Sequence, residues 1–274
     1  MNHKPAINEN RLDGKVIVVT GSTSGTGRAI ALRAAWLGAK GVLVTGRNAD
    51  RGEATVDEIE KIGLETGVQT DAVFVKADLT NPDDCATLMA VCDKKFGRVD
   101  GLVNSAGRGE RGTLSDTSVA LWDEMMNLHV RAPFLLMQFV TEIMRREGIA
   151  GSIINIGSVA AHGGLPSLTP YSVSKGALMT LTRNAAQSLI HDHIRVYCLN
   201  IGWTATEQEH LVQTGIGQPE EWLEAADATR PLGRILRPGD IAPMVTFLLS
   251  SQASMVTGSV IEWDQTMIMG PRSE

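Results

Sequence analysis

The sequence contains few cysteines, no long apolar run and no excess of basic residues. The three cysteines, Cys85, Cys92 and Cys198, form no Cys-x-x-Cys pair, so we expect buried reduced thiols and no metal site rather than a disulfide framework. No stretch approaches the roughly 18 consecutive apolar residues of a membrane-spanning helix, and the amino-terminal residues lack the apolar core of a signal peptide. Because the net charge is −6 and the basic residues are scattered, neither nucleic acid nor an anionic membrane is expected as a partner. We expect a soluble, cytoplasmic protein.

The chain does contain a regular alternation of short apolar runs and helical patterns. Its 274 residues are 43% apolar, 20% charged and 4% aromatic, a composition that can build a large core without disulfides. Apolar runs predict seven strands, at 15–20, 41–46, 72–77, 99–104, 153–158, 194–201 and 256–263. Helical patterns lie between them, at 28–37, 50–66, 83–96, 122–144 and 171–190. This alternation predicts one doubly wound α/β domain over residues 14–274, a parallel sheet with helices on both faces, after a flexible leader at 1–13.

A glycine-rich turn connects the first predicted strand to the first predicted helix. It contains Gly21, Gly25 and Gly27 in a G-x-x-x-G-x-G spacing, with Ser24 and Thr26 between them. Glycines permit a tight turn and a close approach of the backbone, and the unpaired N–H groups of the following helix face a pyrophosphate. Because the turn lies between an apolar strand and a helix, these five residues are predicted to bind a dinucleotide.

The end of the second predicted strand bears on the choice of dinucleotide. It reads Thr45-Gly46-Arg47-Asn48 and lacks the carboxylate that commonly binds the ribose diol of NAD. The Arg47 guanidinium has the charge and the geometry to bind a 2′-phosphate. We therefore favour NADP(H) as the cofactor. NAD(H) stays the alternative, in which Arg47 is a solvated loop residue paired with Asp50.

Tyr171 and Lys175 lie four residues apart, after a loop rich in glycine and proline. If the chain is helical from residue 171 onward, both side chains share one face of the helix. An ammonium beside a phenol favours the phenolate, so we expect Lys175 to lower the pKa of Tyr171 toward the range useful for proton transfer. Ser158, at the end of the preceding strand, could hydrogen-bond the same substrate oxygen. These three side chains are the predicted catalytic groups.

The chain resembles the short-chain dehydrogenase/reductase family over roughly residues 14–266. The motifs that carry the resemblance are the glycine-rich turn and the set of Ser158, Tyr171 and Lys175. The resemblance implies a Rossmann-like fold and hydride transfer between a nicotinamide ring and a carbonyl or secondary alcohol. Tyr171 would be the acid/base, Lys175 would also hold the ribose hydroxyls, and Ser158 would orient the substrate oxygen. Asn127 falls where the family keeps an asparagine that anchors a proton-relay water, so it is the fourth predicted catalytic residue.

The resemblance also implies further contacts with the cofactor. They are Asp78 and Leu79 beside the adenine, Asn104, Ala106 and Gly107 after the fourth strand, and Gly202 and Thr206 after the sixth. The chain departs from the family pattern at several points. Ser105 replaces the second asparagine of an Asn-Asn-Ala-Gly motif, Ile201 replaces a proline, and Gln265-Thr266 replaces a Gly-Gly pair. The last two departures leave the conformation of the nicotinamide-side loop and of the carboxyl-terminal tail open.

A long polar connection follows the sixth predicted strand. We interpret residues 204–236 as a substrate lid, because unstructured connections of this length are commonly functional. The segments expected to surround the substrate are rich in charge and hydrogen-bonding groups, which favours a small polar substrate such as a sugar, a polyol or an oxo acid. The candidate substrate contacts are Arg108, His162, Trp203 and His210, with Glu110, Arg111 and Glu207 in the same segments.

Three alternatives to this function stay open. Two belong to the same family, an NAD-linked dehydrogenase and a reductase of 3-oxoacyl thioesters. The third is a dinucleotide-sensing protein that keeps the fold without the reaction, although the Ser/Tyr/Lys set is intact.

The predicted helix at 122–144 is apolar on nearly all sides. A helix of this kind is covered on more than one side, by the sheet and by another subunit. We therefore expect a homo-oligomer, a tetramer as the family resemblance implies, or else a dimer.

Overall fold

A seven-stranded sheet forms the centre of the computed structural model, which describes residues 11–265. The strands are β1 (Val16–Val19), β2 (Gly41–Gly46), β3 (Asp71–Lys76), β4 (Gly101–Asn104), β5 (Ser152–Ser158), β6 (Arg195–Ile201) and β7 (Val260–Trp263). All neighbours pair in parallel, in the order β3-β2-β1-β4-β5-β6-β7, which confirms the predicted doubly wound α/β fold. The winding reverses between β1 and β4, and ligands bind at the carboxyl ends of strands at such a point.

Helices cover both faces of this sheet. They are α1 (Gly25–Trp36), α2 (Ala49–Thr66), α3 (Pro82–Phe96), α4 (Val119–Met126), α5 (Ala132–Glu147), α6 (Thr169–Ser188), α7 (Glu207–Gly215), α8 (Trp222–Ala228) and α9 (Pro238–Leu249). On one face α1, α2 and α9 enclose a core that includes Ile30, Ile59 and Ile241, and on the other α3, α5 and α6 enclose a second core that includes Cys92 and Val140. No helix within residues 11–265 is long and apolar enough to cross a lipid bilayer.

The apolar stretch predicted as one helix at 122–144 is interrupted in the structure. Between α4 and α5, Asn127–Arg131 forms a π-helical turn. Pro133 explains the interruption, because it has no N–H to donate and its ring displaces the carbonyl of His129, four residues earlier. Wider turns of this kind are frequent at functional sites.

The residues directly before β1 pack more closely than predicted. Leu12 is fully buried, and its N–H donates to the carbonyl oxygen of Leu37 at 2.8 Å. The prediction of a flexible leader is therefore wrong for residues 11–13, because the apolar side chain of Leu12 completes the core beside α1. The other ten residues of the predicted leader, and Thr266, lie outside the described residues.

The long connection between β6 and α9 contains two helices, α7 and α8, packed around a small apolar cluster centred on Trp222. The two ends of the connection are hydrogen-bonded to each other. Ala205 N–H donates to the carbonyl oxygen of Leu236 at 2.8 Å, and Leu236 N–H donates to that of Trp203 at 2.9 Å. The connection is also attached beside β7, since Leu232 N–H donates to Oε1 of Gln265 at 2.8 Å.

Candidate active site

A large cavity opens at the carboxyl ends of the strands, where the winding reverses. Its volume is about 1740 Å³, larger than the roughly 300–1,000 Å³ of an ordinary small-molecule pocket. The cavity can therefore hold a dinucleotide and a second molecule side by side. Its walls are the glycine-rich turn after β1, the ends of β2, β4, β5 and β6, the start of α6, and α7.

The structure brings nearly all the predicted cofactor residues to this cavity. Asn104 is the exception. The others line the wall together: Gly21, Ser24, Gly25, Thr26, Gly27, Arg47, Asp78, Leu79, Ala106, Gly107, Tyr171, Lys175, Gly202 and Thr206.

The glycine-rich turn has no room for side chains at two positions. Gly21 has a φ of 62°, and a Cβ on it would lie 2.8 Å from the Cα of Ala106. A Cβ on Gly27 would lie 2.4 Å from the carbonyl oxygen of Gly21. At the start of α1 the N-cap residue, Ser24, makes no side-chain cap bond, so the first N–H groups of the helix are available to an anion. The bare backbone and the helix end together fit a pyrophosphate group.

Asn104 supports the sheet and is not among the residues that line the cavity. Its Nδ2 donates to Oδ1 of Asn155 at 2.8 Å, and Nδ2 of Asn155 donates to Oγ1 of Thr182 at 2.9 Å. The Oδ1 of Asn104 is buried without a hydrogen-bond partner, and the contact of Asn104 with the cofactor stays a prediction. Thr20 fixes the residues that follow, since its Oγ1 accepts the N–H groups of Ser105 and Ala106 at 2.9 and 3.0 Å.

Arg47 is exposed at the end of β2 and lines the cavity. Its guanidinium makes no ion pair or hydrogen bond within residues 11–265, and in particular none with Asp50. Asp78 lies on the same wall, where hydrogen bonds from Thr80 and the positive charge of Arg47 lower the pKa of its carboxyl. This end of the cavity therefore presents an unpaired guanidinium beside an ionised carboxylate.

Ser158, Tyr171 and Lys175 line the cavity. Ser158 ends β5, while Tyr171 and Lys175 project from one face of α6. The Nζ of Lys175 lies 5.7 Å from the centroid of the Tyr171 ring and donates to the carbonyl oxygen of Ile156 at 2.9 Å. The ammonium is thus held between α6 and the end of β5.

The pKa of Tyr171 differs from the sequence-based expectation. Burial raises it, a hydrogen bond with Ser158 acts in the opposite direction, and the negative charge of Glu209 raises it further. The predicted net lowering of the Tyr171 pKa is wrong, because desolvation of the phenol outweighs the effects that act in the opposite direction. Burial also lowers the pKa of Lys175 to about 8. The phenol is therefore protonated at neutral pH.

Asn127 is not among the residues that line the cavity, and its role in anchoring a relay water stays a prediction. The π-helical turn instead brings His129, two residues later, against α6. The His129 side chain is 1% exposed, and its ring lies edge-on to that of Tyr171, with centroids 5.5 Å apart and planes at 88°. Its Nδ1 lies 2.9 Å from Oγ of Ser174, and its Nε2 lies 3.1 Å from the backbone N of Arg108.

The hydrogen bonds around His129 define its tautomer. The hydroxyl of Ser174 donates to the carbonyl oxygen of Tyr171 at 2.7 Å, so it accepts from an Nδ1–H of His129. Nε2 then carries no hydrogen and accepts the N–H of Arg108. Burial, with the charges of Lys175 and Arg108, holds the pKa of His129 well below its usual 6.5. His129 is therefore neutral, with both ring nitrogens in use.

The predicted substrate residues divide into two groups. Arg108, His162 and Trp203 line the cavity, as does Arg111. His210 does not, because its Nδ1 accepts from Nε1 of Trp222 at 3.0 Å and its Nε2 lies 3.0 Å from Glu220. Its assignment as a substrate contact is therefore wrong.

Two acidic residues from the same predicted segments also lie away from the cavity. Glu110 forms an ion pair with Arg108, and Glu207 forms one with Arg51 at 3.0 Å. In contrast, Glu209 lines the cavity, although it was not among the residues predicted from the sequence. Its Oε1 accepts from Nε1 of Trp203 at 2.7 Å. No motif singles out Glu209, since only the folding of α7 over the cavity turns it inward.

Comparison with known proteins agrees with this geometry. The profile of a family described as enoyl-(acyl carrier protein) reductase matches residues 21–267. The chain is 36% identical to 2-(S)-hydroxypropyl-CoM dehydrogenase 3 of Xanthobacter autotrophicus, covering 94% of this chain and 98% of that one. It is 35% identical to dehydrogenase/reductase SDR family member 4 of Bos taurus, covering 92% and 86%. The solved L-sorbose reductase of Gluconobacter frateurii, complexed with NADPH and L-sorbose, superposes with a TM-score of 0.87 at 29% identity, covering 96% and 100%.

Proposed function

Because the chain belongs to the short-chain dehydrogenase/reductase family, we propose that it interconverts a carbonyl group and a secondary alcohol of a small polar substrate by using NADP(H). The family relationship confirms the resemblance seen in the sequence, so the protein is an oxidoreductase that uses a nicotinamide dinucleotide. The observation that carries the proposal is the meeting of Ser158, Tyr171 and Lys175 in one cavity with the glycine-rich turn.

NADP(H) is favoured over NAD(H) by the end of β2. Arg47 faces the cavity without an ion-pair partner among the described residues, and no carboxylate ends this strand. A guanidinium of this kind suits a 2′-phosphate. The solved L-sorbose reductase that resembles this chain also holds NADPH, which supports the same choice.

When it is bound, the nicotinamide ring supplies or accepts the hydride. Tyr171 donates its phenolic proton to the substrate oxygen as that oxygen gains negative charge, and its raised pKa keeps the proton available for reduction. Ser158 donates a hydrogen bond to the same oxygen. Lys175 lies 5.7 Å from the Tyr171 ring centroid and stabilises the phenolate that remains. His129 takes no part in proton transfer and positions the catalytic helix.

The connection over residues 204–236 acts as the substrate lid. Glu209, Gln213 and Arg230 of this unit line the cavity, so closure places polar groups against the substrate. Thr206 comes close to the glycine-rich turn, since a Cβ on Gly25 would lie 3.4 Å from its Cγ2. A substrate of the sugar, polyol or oxo-acid class fits such a polar wall.

The protein acts as a homo-oligomer, a tetramer or a dimer. Phe134 on α5 and Val173 on α6 are each 44% exposed, and burial of apolar surface of this kind drives association. Analytical ultracentrifugation tests the point. A stable and fully active monomer would contradict it.

A panel of carbonyl compounds tests the proposed reaction. The protein is mixed with NADPH and with ketoses, oxo acids, an apolar ketone, a 3-oxoacyl thioester and an enoyl thioester, and the absorbance of NADPH is followed. We expect the ketoses or oxo acids to be reduced fastest. A relative is named as a 3-oxoacyl-[acyl-carrier-protein] reductase, so preference for that thioester would favour the alternative within the family. If no carbonyl and no alcohol reacts with either dinucleotide, the non-catalytic alternative replaces the proposal.

A further inference from the structure

Arg111 lines the cavity close to the catalytic tyrosine. The next residue, Gly112, donates its N–H to the carbonyl oxygen of Ser167 and accepts the N–H of Thr169, each at 2.9 Å. These bonds attach the backbone beside Arg111 to the start of α6, which carries Tyr171. The Arg111 side chain is half-buried and makes no ion pair or hydrogen bond within residues 11–265. Its Nε is buried without a partner.

Arg230 lines the same cavity from the lid, just after α8. Its guanidinium carbon lies 5.4 Å from the centroid of the Trp203 ring, and Trp203 stacks on Trp222 with centroids 5.6 Å apart. The indole holds the guanidinium in place and leaves its charge uncompensated. The Nε of Arg230 is also buried without a partner, and no carboxylate of the described residues pairs with this side chain.

Two other charged residues of the cavity wall, Arg108 and Glu209, do have partners. Arg108 lines the cavity but forms ion pairs with both Glu110 and Glu124. Glu209 lines the cavity as well, where its carboxylate accepts from the neutral donors of Trp203 and Gln213. It forms no ion pair with Arg111 or Arg230. Among the charged residues that line the cavity, Arg111 and Arg230 are the two whose buried Nε has no hydrogen-bond acceptor in the described part of the chain.

A buried donor without an acceptor is costly, and such groups are usually satisfied by a bound partner. A guanidinium can donate two parallel hydrogen bonds to a pair of oxygens on a carboxylate, sulfonate or phosphate. We propose that Arg111 and Arg230 bind an anionic group of the substrate that is distinct from the carbonyl that is reduced. This inference rests on the proposed function, because it assigns the substrate class of the same site. It narrows the substrate from polar molecules in general to anionic carbonyl compounds, of which oxo acids are the simplest.

Matched pairs of substrates test the inference. The kcat/KM for 4-oxopentanoate is compared with that for 4-oxopentanamide, and a keto sulfonate is compared with its sulfonamide. The proteins are the wild type, Arg111→Gln, Arg230→Gln, both Arg→Lys variants, and Lys40→Gln as a charge control. Lys40 is exposed and directly precedes β2. It therefore lies at the amino ends of the strands, whereas the cavity lies at their carboxyl ends.

We expect the wild type to prefer the anion by about ten-fold or more, the range of charge-assisted hydrogen bonds. Each Arg→Gln variant should lose most of this preference, because its kcat/KM falls far more for the anion than for the amide. The Arg→Lys variants should keep part of the preference, and Lys40→Gln should keep all of it. The inference is overturned if the wild type prefers the amide, if the Arg→Gln variants slow both substrates equally, or if they raise the KM for NADPH instead.

Calorimetric titration separates failure of this inference from failure of the proposed function. Succinate and succinamide are titrated into the wild type and the two Arg→Gln variants in the presence of NADP⁺. Binding of succinate alone, lost in both variants, supports an anion site even if no carbonyl in the panel reacts. Turnover of the amides without any preference for the acids, and without binding of succinate, refutes the anion site and leaves the oxidoreductase assignment intact.

Discussion

The Nδ1 of His129 lies 2.9 Å from the Oγ of Ser174, and that hydroxyl also donates to the carbonyl oxygen of Tyr171 at 2.7 Å. The backbone of Tyr171 is thus connected, through Ser174, to the π-helical turn between α4 and α5. The other ring nitrogen of His129 accepts the N–H of Arg108 on the cavity wall. The neutral imidazole of His129 therefore connects the π-helical turn to α6 and to the cavity wall at Arg108.

Replacing His129 tests this positioning role. In His129→Leu both hydrogen bonds are lost, and we expect kcat to fall by about ten-fold or more because small displacements of catalytic groups are costly. Leaving the N–H of Arg108 unpaired should also lower the free energy of unfolding by about 1–3 kcal/mol. His129→Gln keeps one donor and one acceptor and should recover part of both losses. A leucine variant with wild-type kcat would show that the contact is dispensable.

His129 also predicts how stability depends on pH. The pKa of His129 in the folded protein lies well below 6.5, so below that pH the unfolded chain takes up a proton that the folded protein does not. The contribution of His129 is therefore complete above about pH 6.5 and is lost as the pH falls, by up to about 1.4 kcal/mol per pH unit. Urea unfolding of the wild type and of His129→Gln between about pH 7.5 and pH 5.5 measures this term. We expect the two curves to converge at low pH, whereas parallel curves would mean that His129 is protonated in the folded state.

We expect the buried ammonium of Lys175 to lower the free energy of unfolding at neutral pH. Burial lowers its pKa from 10.5 to about 8, so the cost of the buried ammonium is greatest below pH 8 and disappears as the pH rises toward 10.5. Lys175→Met should therefore raise the free energy of unfolding at pH 7 by roughly 1–3 kcal/mol and abolish most turnover. Urea unfolding at pH 7 and at a pH near 10 measures the gain and its decrease. A methionine variant that is less stable at pH 7 would show that the hydrogen bond to Ile156 outweighs desolvation.

Arg47 should discriminate between the two dinucleotides. Arg47→Ala removes the guanidinium proposed to bind the 2′-phosphate, so kcat/KM for NADPH should fall by about ten-fold or more while that for NADH stays within about three-fold. Arg51 offers a matched control, because it lies four residues further on and is ion-paired with Glu207. Arg51→Ala should leave the preference unchanged. An unaltered affinity for NADPH in Arg47→Ala would remove the argument for NADP(H).

The sheet could be predicted from the sequence because each strand is a local apolar run flanked by helical periodicity. Predicted and observed strands agree closely for β2 and β5. They differ at β7, which begins at Val260 and not at 256, after Gly258 takes a φ of 73°. The glycine-rich turn and the set of Ser158, Tyr171 and Lys175 could also be recognised locally, because each is a short motif directly after a predicted strand or within one helix.

The remaining features of the site depend on contacts that no local pattern records. Asn127 and His129 are two residues apart, and only the π-helical turn decides which of them faces α6. His210 was predicted to line the pocket, but its ring is hydrogen-bonded to Trp222 within the connection between β6 and α9. The pKa of Tyr171 follows from burial, which spacing from Lys175 cannot reveal. The sequence did contain one clue, Pro133, whose missing N–H marks the place where the helix must widen.

The most direct test of the whole account is the turnover of Tyr171→Phe with NADPH and the best substrate of the panel. The substitution removes only the phenolic oxygen, so the ring contact with His129 and the fold should be preserved. We expect kcat to fall by roughly 10²–10⁴-fold, while the dissociation constant for NADPH, measured by fluorescence titration, stays within about three-fold. A Tyr171→Phe enzyme that keeps its turnover would contradict the assignment of Tyr171 as the proton donor and the mechanism built on it.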